Sequence, residues 1–366
     1  MDRKRVLLTG VQPTGDIHLG NYVGAIRPLV EMSQNHETFC FIADYHSLNS
    51  LVGGDLSTGG LGEDIYERTL RIAAAYMALG INHRAHIYRQ SDIPEIFEIE
   101  TLISNFTPKG LMNRSHAYKS KIDEICDDLY DKYRDTFIRQ TKVTAPSELI
   151  PTIDKFLGSR DSGINMGLYN YPLLMASDIL GIYPDVVPIG EDQRQHLEIT
   201  RSIIETLNHR MGEEITIPSP LTPGGSVPGL DGRKMSKSYN NYIPLFGDLG
   251  LIHKKIFSIK TSSASIEDKK NPDKCLLFKI FSSFASDDSI AMLRDMYVTG
   301  GVGYGDMKKC VRDEFEKVFA GPGEEYERLM ASSCEIEDRL SRGAEAARER
   351  ASSVLDILKK NLIGKK

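Results

Sequence analysis

Across its first two hundred residues this chain alternates short apolar runs with long helical patterns, and that alternation restricts the fold more than any other feature. "RKRVLLTG" (3–10), "TFCFIADYHS" (38–47), "RAHIYRQSD" (84–92) and "DVVPIGEDQ" (185–193) read as strands. Between or after them lie helical stretches such as "LGEDIYERTLRIAAAYMALGI" (61–81), closed by Gly80, and "QRQHLEITRSIIETLNHR" (193–210). Strands that alternate with helices of this length are joined by crossovers, which predicts a parallel sheet and an α/β fold. Ligands of such sheets sit beyond the carboxyl ends of the strands. The polar clusters at Gln12–Asn21, Asp44–His46 and Gly190–Gln193 all follow strands and are expected to converge there.

After about Asn240 the alternation stops, and the remaining segments read as helices with no strand between them. A length of 366 residues exceeds the usual size of one core. The expected organisation is an α/β domain over 1–210 with an insertion at about 121–165, then a linker and loop over 211–245. A helical domain over 246–366 follows, with the last helix able to pack back on the core. The formal charge of −6 excludes a protein that binds nucleic acid by global charge alone, though not one with a local basic face. Five scattered cysteines lack metal-ligand spacing, which predicts reduced thiols. No run is long enough for a signal peptide or a membrane span, so a cytoplasmic protein without membrane contact is expected.

Two stretches carry chemistry. In "GVQPTGDIHLGNYVGAI" (10–26), Gln12, Pro13, Thr14 and Gly15 make a turn, and His18, Leu19, Gly20 and Asn21 open a helix. Glycine at the mouth of a strand–loop–helix unit lets backbone amides approach a phosphate. The spacing is neither the dinucleotide nor the Walker pattern, so taken alone it is equally an ordinary tight turn. Pro28 conflicts with a continuous helix from Asn21, since it would leave the carbonyl of Gly24 without a donor. The second stretch, "RKMSKSYNNYI", sets Lys234 and Lys237 three apart behind the glycine-rich run 222–233. Two ammonium groups on a mobile loop can cover a polyphosphate, but an isolated pair reads first as a solvated basic loop.

Together, "HLGN" and "KMSKS" resemble the paired signatures of class I aminoacyl-tRNA synthetases, in order and separation. "NYPLLMASDIL" (170–180), "DVVPIGEDQRQHLEITR" (185–201) and "GYGDMKK" (303–309) are similar to the bacterial tryptophanyl branch, and the likeness runs from about Arg5 to about Leu358. It implies a Rossmann-like catalytic core followed by a helical anticodon-binding domain. The activity implied is joining of L-tryptophan to ATP and then to tRNA(Trp). ATP would bring Mg2+, and the chain would form a homodimer in the cytoplasm. Some relatives carry an iron–sulfur cluster; Cys275, Cys310 and Cys334 lack the spacing for one, so none is expected.

Carried over by position, His18, Asn21, Lys121, Lys234 and Lys237 are the catalytic candidates. Gln12, Pro13, Thr14, Gly20, Asn21, Gly190, Glu191, Asp192, Val227, Lys234, Met235, Ser236, Lys237 and Ser238 would touch ATP. Asp178 would accept from the indole N–H, with Met175 against the ring, Tyr171 and Gln193 on the α-amino group, and His46 as a further contact. An unpaired acid inside "LLMASDIL" is costly, so Asp178 either serves a ligand or pairs with a neighbouring Arg. Lys121 is equally a solvated helix residue, and His46 equally a structural one. No protein metal site is expected. The alternatives are a tyrosyl or other class I synthetase, a small-molecule nucleotidyltransferase, and a non-catalytic RNA-binding regulator.

Overall fold

A computed structural model describes residues 4–51, 60–81, 85–141, 164–190, 193–212, 215, 218–221 and 225–364. In chain order, β1 (Arg5–Val11) leads into α1 (Leu19–Asn21), a π-helical turn (Tyr22–Ile26) and α2 (Arg27–Met32). Next come β2 (His36–Ile42), α3 (Asp44–Leu51), α4 (Gly60–Ala78) and β3 (Ala85–Arg89), then a 3-10 turn (Gln90–Asp92). The middle holds α5 (Pro94–Ser104), α6 (Lys109–Met112), α7 (His116–Thr141), α8 (Met166–Ile182), β4 (Val186–Pro188), α9 (Arg194–Met211) and β5 (Ser219–Leu221). The rest is helical: α10 (Leu249–Phe257), α11 (Leu276–Ser282), α12 (Asp287–Thr299), α13 (Tyr304–Met330) and α14 (Ser333–Ile363).

The fold is α/β with a parallel sheet and a helical C-terminal region, as the alternation predicts. The four expected strands are present; β5, a three-residue strand containing Pro220, carried too little pattern to be foreseen. The insertion is helical through Thr141, and its remainder at 142–163 lies outside the described residues.

Two compact units divide the chain, and each is discontinuous in sequence. The first comprises Met1–Ile42, Asp55–Arg89 and Thr222–Ala344. Within it β2 lies between β1 and β3, parallel to both, with Thr9 opposite Cys40 and Cys40 opposite Ile87. Leu7, Cys40, Ile42 and Ile87 face a core that also takes Ala73, Ala74 and Met77 from α4 and Phe281, Leu293, Phe315 and Leu340 from the C-terminal helices. One approach is set by a missing side chain. A Cβ on Gly343 of α14 would overlap the carbonyl oxygen of Ile87 and lie 2.6 Å from its carbon, so only glycine lets this helix rest on β3.

The second unit comprises Ala43–Gly54, Gln90–Leu221 and Glu345–Lys366. β4 and β5 pair in parallel, and a separate core forms from Ile99 and Ile103 of α5, Leu173 and Leu180 of α8, Ile203 and Leu207 of α9, and Leu355 and Leu358 of α14. Helix α8 is capped at both ends. Asn165 Oδ1 accepts from the Leu168 N–H at 2.8 Å, and Arg350 Nε donates to the Ile182 carbonyl at 2.8 Å, satisfying a terminal group that would otherwise be orphaned.

The difficulty with Pro28 resolves locally. After α1 the backbone widens by one π turn, in which the Arg27 N–H donates to the Tyr22 carbonyl five residues back. The α-helix then restarts, with Pro28 in its first turn, where a missing N–H costs nothing.

Candidate active site

In the first unit the two signature stretches are held together by backbone. The Leu19 N–H donates to the Ile243 carbonyl at 2.9 Å and the Leu245 N–H to Ile17 at 3.1 Å, straddling an antiparallel bridge between His18 and Pro244. The start of "HLGN" is thus paired with the segment just after "KMSKS". A Cβ on Gly20 would stand 3.0 Å from the His18 ring, so any larger residue here would crowd that ring.

His18 is buried, and its Nδ1 has no hydrogen-bond partner among the described residues. Burial, followed by the charge of Lys237, pulls its pKa down to about 4, so the ring is neutral near pH 7. Asn21 Oδ1 accepts from the His18 backbone N–H at 3.1 Å, fixing the first turn of α1. In the preceding turn the Thr14 N–H donates to the Gln12 carbonyl at 2.8 Å, with Pro13 buried beneath it and Thr14 exposed.

The lysine loop is a small hairpin. Pro228 bridges Lys234, the Gly229 N–H donates to the Arg233 carbonyl at 2.6 Å, and the Met235 N–H to Val227 at 3.1 Å. Val227 and Met235 point into the core, which leaves Lys234 and Ser238 exposed and Ser236 half-buried. Lys237 is half-buried, and its Nζ donates to the Thr14 carbonyl at 2.5 Å, joining this loop to the glycine turn. Burial lowers the Lys237 pKa, and Asp16 acts against that.

Asn241 was not singled out from sequence and is the hub of this loop. Its Oδ1 accepts from the Ser236 N–H at 2.8 Å, while Nδ2 donates to Asp231 Oδ1 at 2.7 Å and to the Lys234 carbonyl at 3.2 Å. Donation from Asn241 and Arg233 holds the Asp231 carboxyl down to about 2.

The second unit gathers the residues expected at the amino acid. Tyr171, Met175 and Asp178 lie at i, i+4 and i+7 along α8 and share a face. Asp178 is only 1% exposed. Its partner is no arginine: Gln90 Nε2 donates to Oδ1 at 3.0 Å and Oδ2 at 2.8 Å, and His46 Nε2 lies 3.1 Å from Oδ2. Burial raises the Asp178 pKa, and the His46 and Gln90 donors work against that rise. The Tyr171 ring packs on His46, with centroids 4.4 Å apart, and its hydroxyl donates to Gln193 Oε1 at 3.3 Å. Met175 is half-buried.

Tyr171, Asp178, Gln193 and His46 are therefore brought together, whereas Lys121 is paired with Glu124 at 2.6 Å on the surface of α7. Gly190 follows β4, while Glu191 and Asp192 lie outside the described residues. Gln90 was missed from sequence; its signal was its place at the carboxyl end of β3, where parallel sheets collect ligand groups. Among the described residues no group of three His, Cys, Asp or Glu side chains could hold a metal ion.

The family model for class I tRNA synthetases (W and Y) matches residues 1–130 and 133–320. A tryptophan–tRNA ligase of Rhodopirellula baltica is 36% identical over 358 residues, 97% of this chain and 98% of that protein. One from Neisseria meningitidis is 37% identical over 97% of this chain and 96% of its own length. The crystal structure of Campylobacter jejuni tryptophanyl-tRNA synthetase complexed with ADP and tryptophan superposes with a TM-score of 0.80 at 34% identity, covering 98% of this chain and all of that one. With its two signature loops bridged and a buried acid on α8, this chain belongs to the class I tRNA synthetases of the tryptophan and tyrosine family, on the tryptophan branch.

Proposed function

We propose that the chain is a tryptophan–tRNA ligase: it joins L-tryptophan to ATP as tryptophanyl-adenylate, releases pyrophosphate, and esterifies the terminal adenosine of tRNA(Trp). The observation that carries the choice of amino acid is Asp178, a buried carboxylate held by an amide and an imidazole instead of a guanidinium. Such an acceptor suits the indole N–H, which donates and cannot accept. Tyr171 and Gln193 bind the α-amino group, Met175 packs on the ring, and His46 completes that wall.

In activation a tryptophan carboxylate oxygen attacks the α-phosphorus as the bond to pyrophosphate breaks. That step needs placement and charge stabilisation more than an acid–base pair. Neutral His18, Asn21 and the amides around Gly20 contact ATP, together with Gln12, Pro13, Thr14, Val227, Met235, Ser236 and Ser238, and with Gly190, Glu191 and Asp192. Lys234 and Lys237 stabilise the charge that builds on pyrophosphate, and Lys121 stands as a third phosphate lysine. The donor set on these loops is cationic and amide-rich, which fits a nucleotide that brings Mg2+ on its own phosphates rather than a protein cage. The helical C-terminal region takes the anticodon arm. The enzyme works in the cytoplasm as a homodimer, the latter open to sedimentation analysis; no described helix is long and apolar enough to cross a membrane.

The test is ATP–pyrophosphate exchange with each of the twenty amino acids in turn. Exchange driven by tryptophan is expected. Exchange driven by tyrosine instead, or none with any amino acid and no charging of tRNA, overturns the reading.

A further inference from the structure

Gln90, which reaches Asp178, is fully buried, at 0% exposure. It opens the 3-10 turn that follows β3, and its amide is used at both ends. Nε2 reaches both oxygens of Asp178, while Oε1 accepts from the backbone N–H of His46 at 3.4 Å. A carboxylate cannot donate, so the amide has to present its NH2 to Asp178, and only Oε1 is left for His46. The next residue is clamped as well: Asp44, at the start of α3, accepts from the Ser91 N–H at 3.1 Å and the Ser91 hydroxyl at 2.5 Å. Asp44 thus locks the 3-10 turn that carries Gln90 to the helix that carries His46, and both donors to Asp178 share one brace.

A carboxylate offers about four lone-pair sites. Among the described residues Gln90 takes two of them and His46 one, so one remains. We propose that Gln90 is a positioning residue for amino-acid specificity: its amide fixes the Asp178 carboxylate so that the remaining lone pair meets the indole N–H of tryptophan. This rests on reading Asp178 as the indole acceptor. A neutral amide suits the task because it orients the acid without discharging it; an arginine in its place would pair with the carboxylate and compete with the substrate. Without Gln90 the carboxylate is free to turn about its terminal bond, and it loses two of its three described hydrogen bonds.

The experiment compares L-tryptophan with 3-(benzothiophen-3-yl)alanine, in which sulfur replaces the indole N–H, for the wild type and for Gln90→Leu and Gln90→Met. Kinetics of ATP–pyrophosphate exchange give kcat and KM for each amino acid and for ATP. In both variants the KM for tryptophan should rise about 10- to 100-fold, the effect of withdrawing a buried donor from a charged acceptor. The KM values for the analogue and for ATP should stay where they are, so the preference for tryptophan collapses. Equal losses for both amino acids in both variants would mark a structural role and overturn the proposal, as would an unchanged preference. If the wild type itself prefers the analogue or ignores tryptophan, it is the assignment of Asp178 that fails.

Discussion

Replacing Asp178 by alanine separates the two tasks of this carboxylate, one in the fold and one at the substrate. Removal leaves Gln90 Nε2 and His46 Nε2 facing a gap. His46 gains nothing by moving its proton to Nδ1, which is buried and has no partner among the described residues, so its donor is orphaned in either tautomer. The Gln90 amide loses its acceptor as well, and each unsatisfied buried donor costs about 1–3 kcal/mol. Part of this is offset because the variant no longer desolvates a carboxyl group whose pKa burial raises. The net cost falls below the roughly 5–15 kcal/mol that holds a typical domain together, so Asp178→Ala should fold. Binding falls too: a hydrogen bond to a charged acceptor is worth about 1.5–3 kcal/mol, or about 10- to 150-fold in kcat/KM for tryptophan.

The KM for ATP should not change, because the ATP loops are built from other residues. The chain contains no tryptophan, so free L-tryptophan is the sole indole fluorophore and its binding can be titrated directly, beside urea unfolding and pyrophosphate exchange. A variant with wild-type affinity for tryptophan would refute the reasoning. So would one whose affinity for ATP falls equally.

Three further outcomes are expected. Lys237→Ala should lower the single-turnover rate of adenylate formation more than it raises either substrate's KM; proportional changes in rate and KM would mean that the lysine serves ground-state binding. His18, with a folded pKa of about 4 against 6.5 unfolded, takes up its proton first in the unfolded chain. Its share of stability is complete above pH 6.5 and is lost as pH falls towards 4, by about 3 kcal/mol; urea midpoints across that window should decline less in His18→Gln, and parallel declines would contradict the assignment. Gly343→Ala should cost about 1–3 kcal/mol or more, because its methyl meets the backbone of β3 instead of a yielding side chain; an unchanged denaturation midpoint would show that α14 has room to shift.

Much of this was legible in the chain. Period and length announced β1 to β4, because a buried parallel strand needs a continuous apolar run, and "VLLTG", "TFCFI" and "AHIYR" supply one. The signature stretches announced themselves only as a pair, because each alone is an ordinary turn or basic loop while their order and separation resemble a known pattern. Gln90 and Asn241 did not, since a glutamine or asparagine in a polar turn looks the same whether it faces water or a buried partner. Pro28 stood out as a conflict, and only the backbone decided it, through a π turn that no side-chain pattern encodes. The interleaving of the two units was equally hidden: Ala43–Gly54 and Gln90–Leu221 join one unit while the stretch between them joins the other. The sequence by itself determined which elements form and which chemical groups the chain carries, because period, propensity and functional type are local properties. Tertiary structure alone decided what Asp178 faces and how Lys237 meets Thr14. Those are contacts between residues 132 and 223 positions apart for His46–Asp178 and Thr14–Lys237, and packing, not local preference, closes such distances.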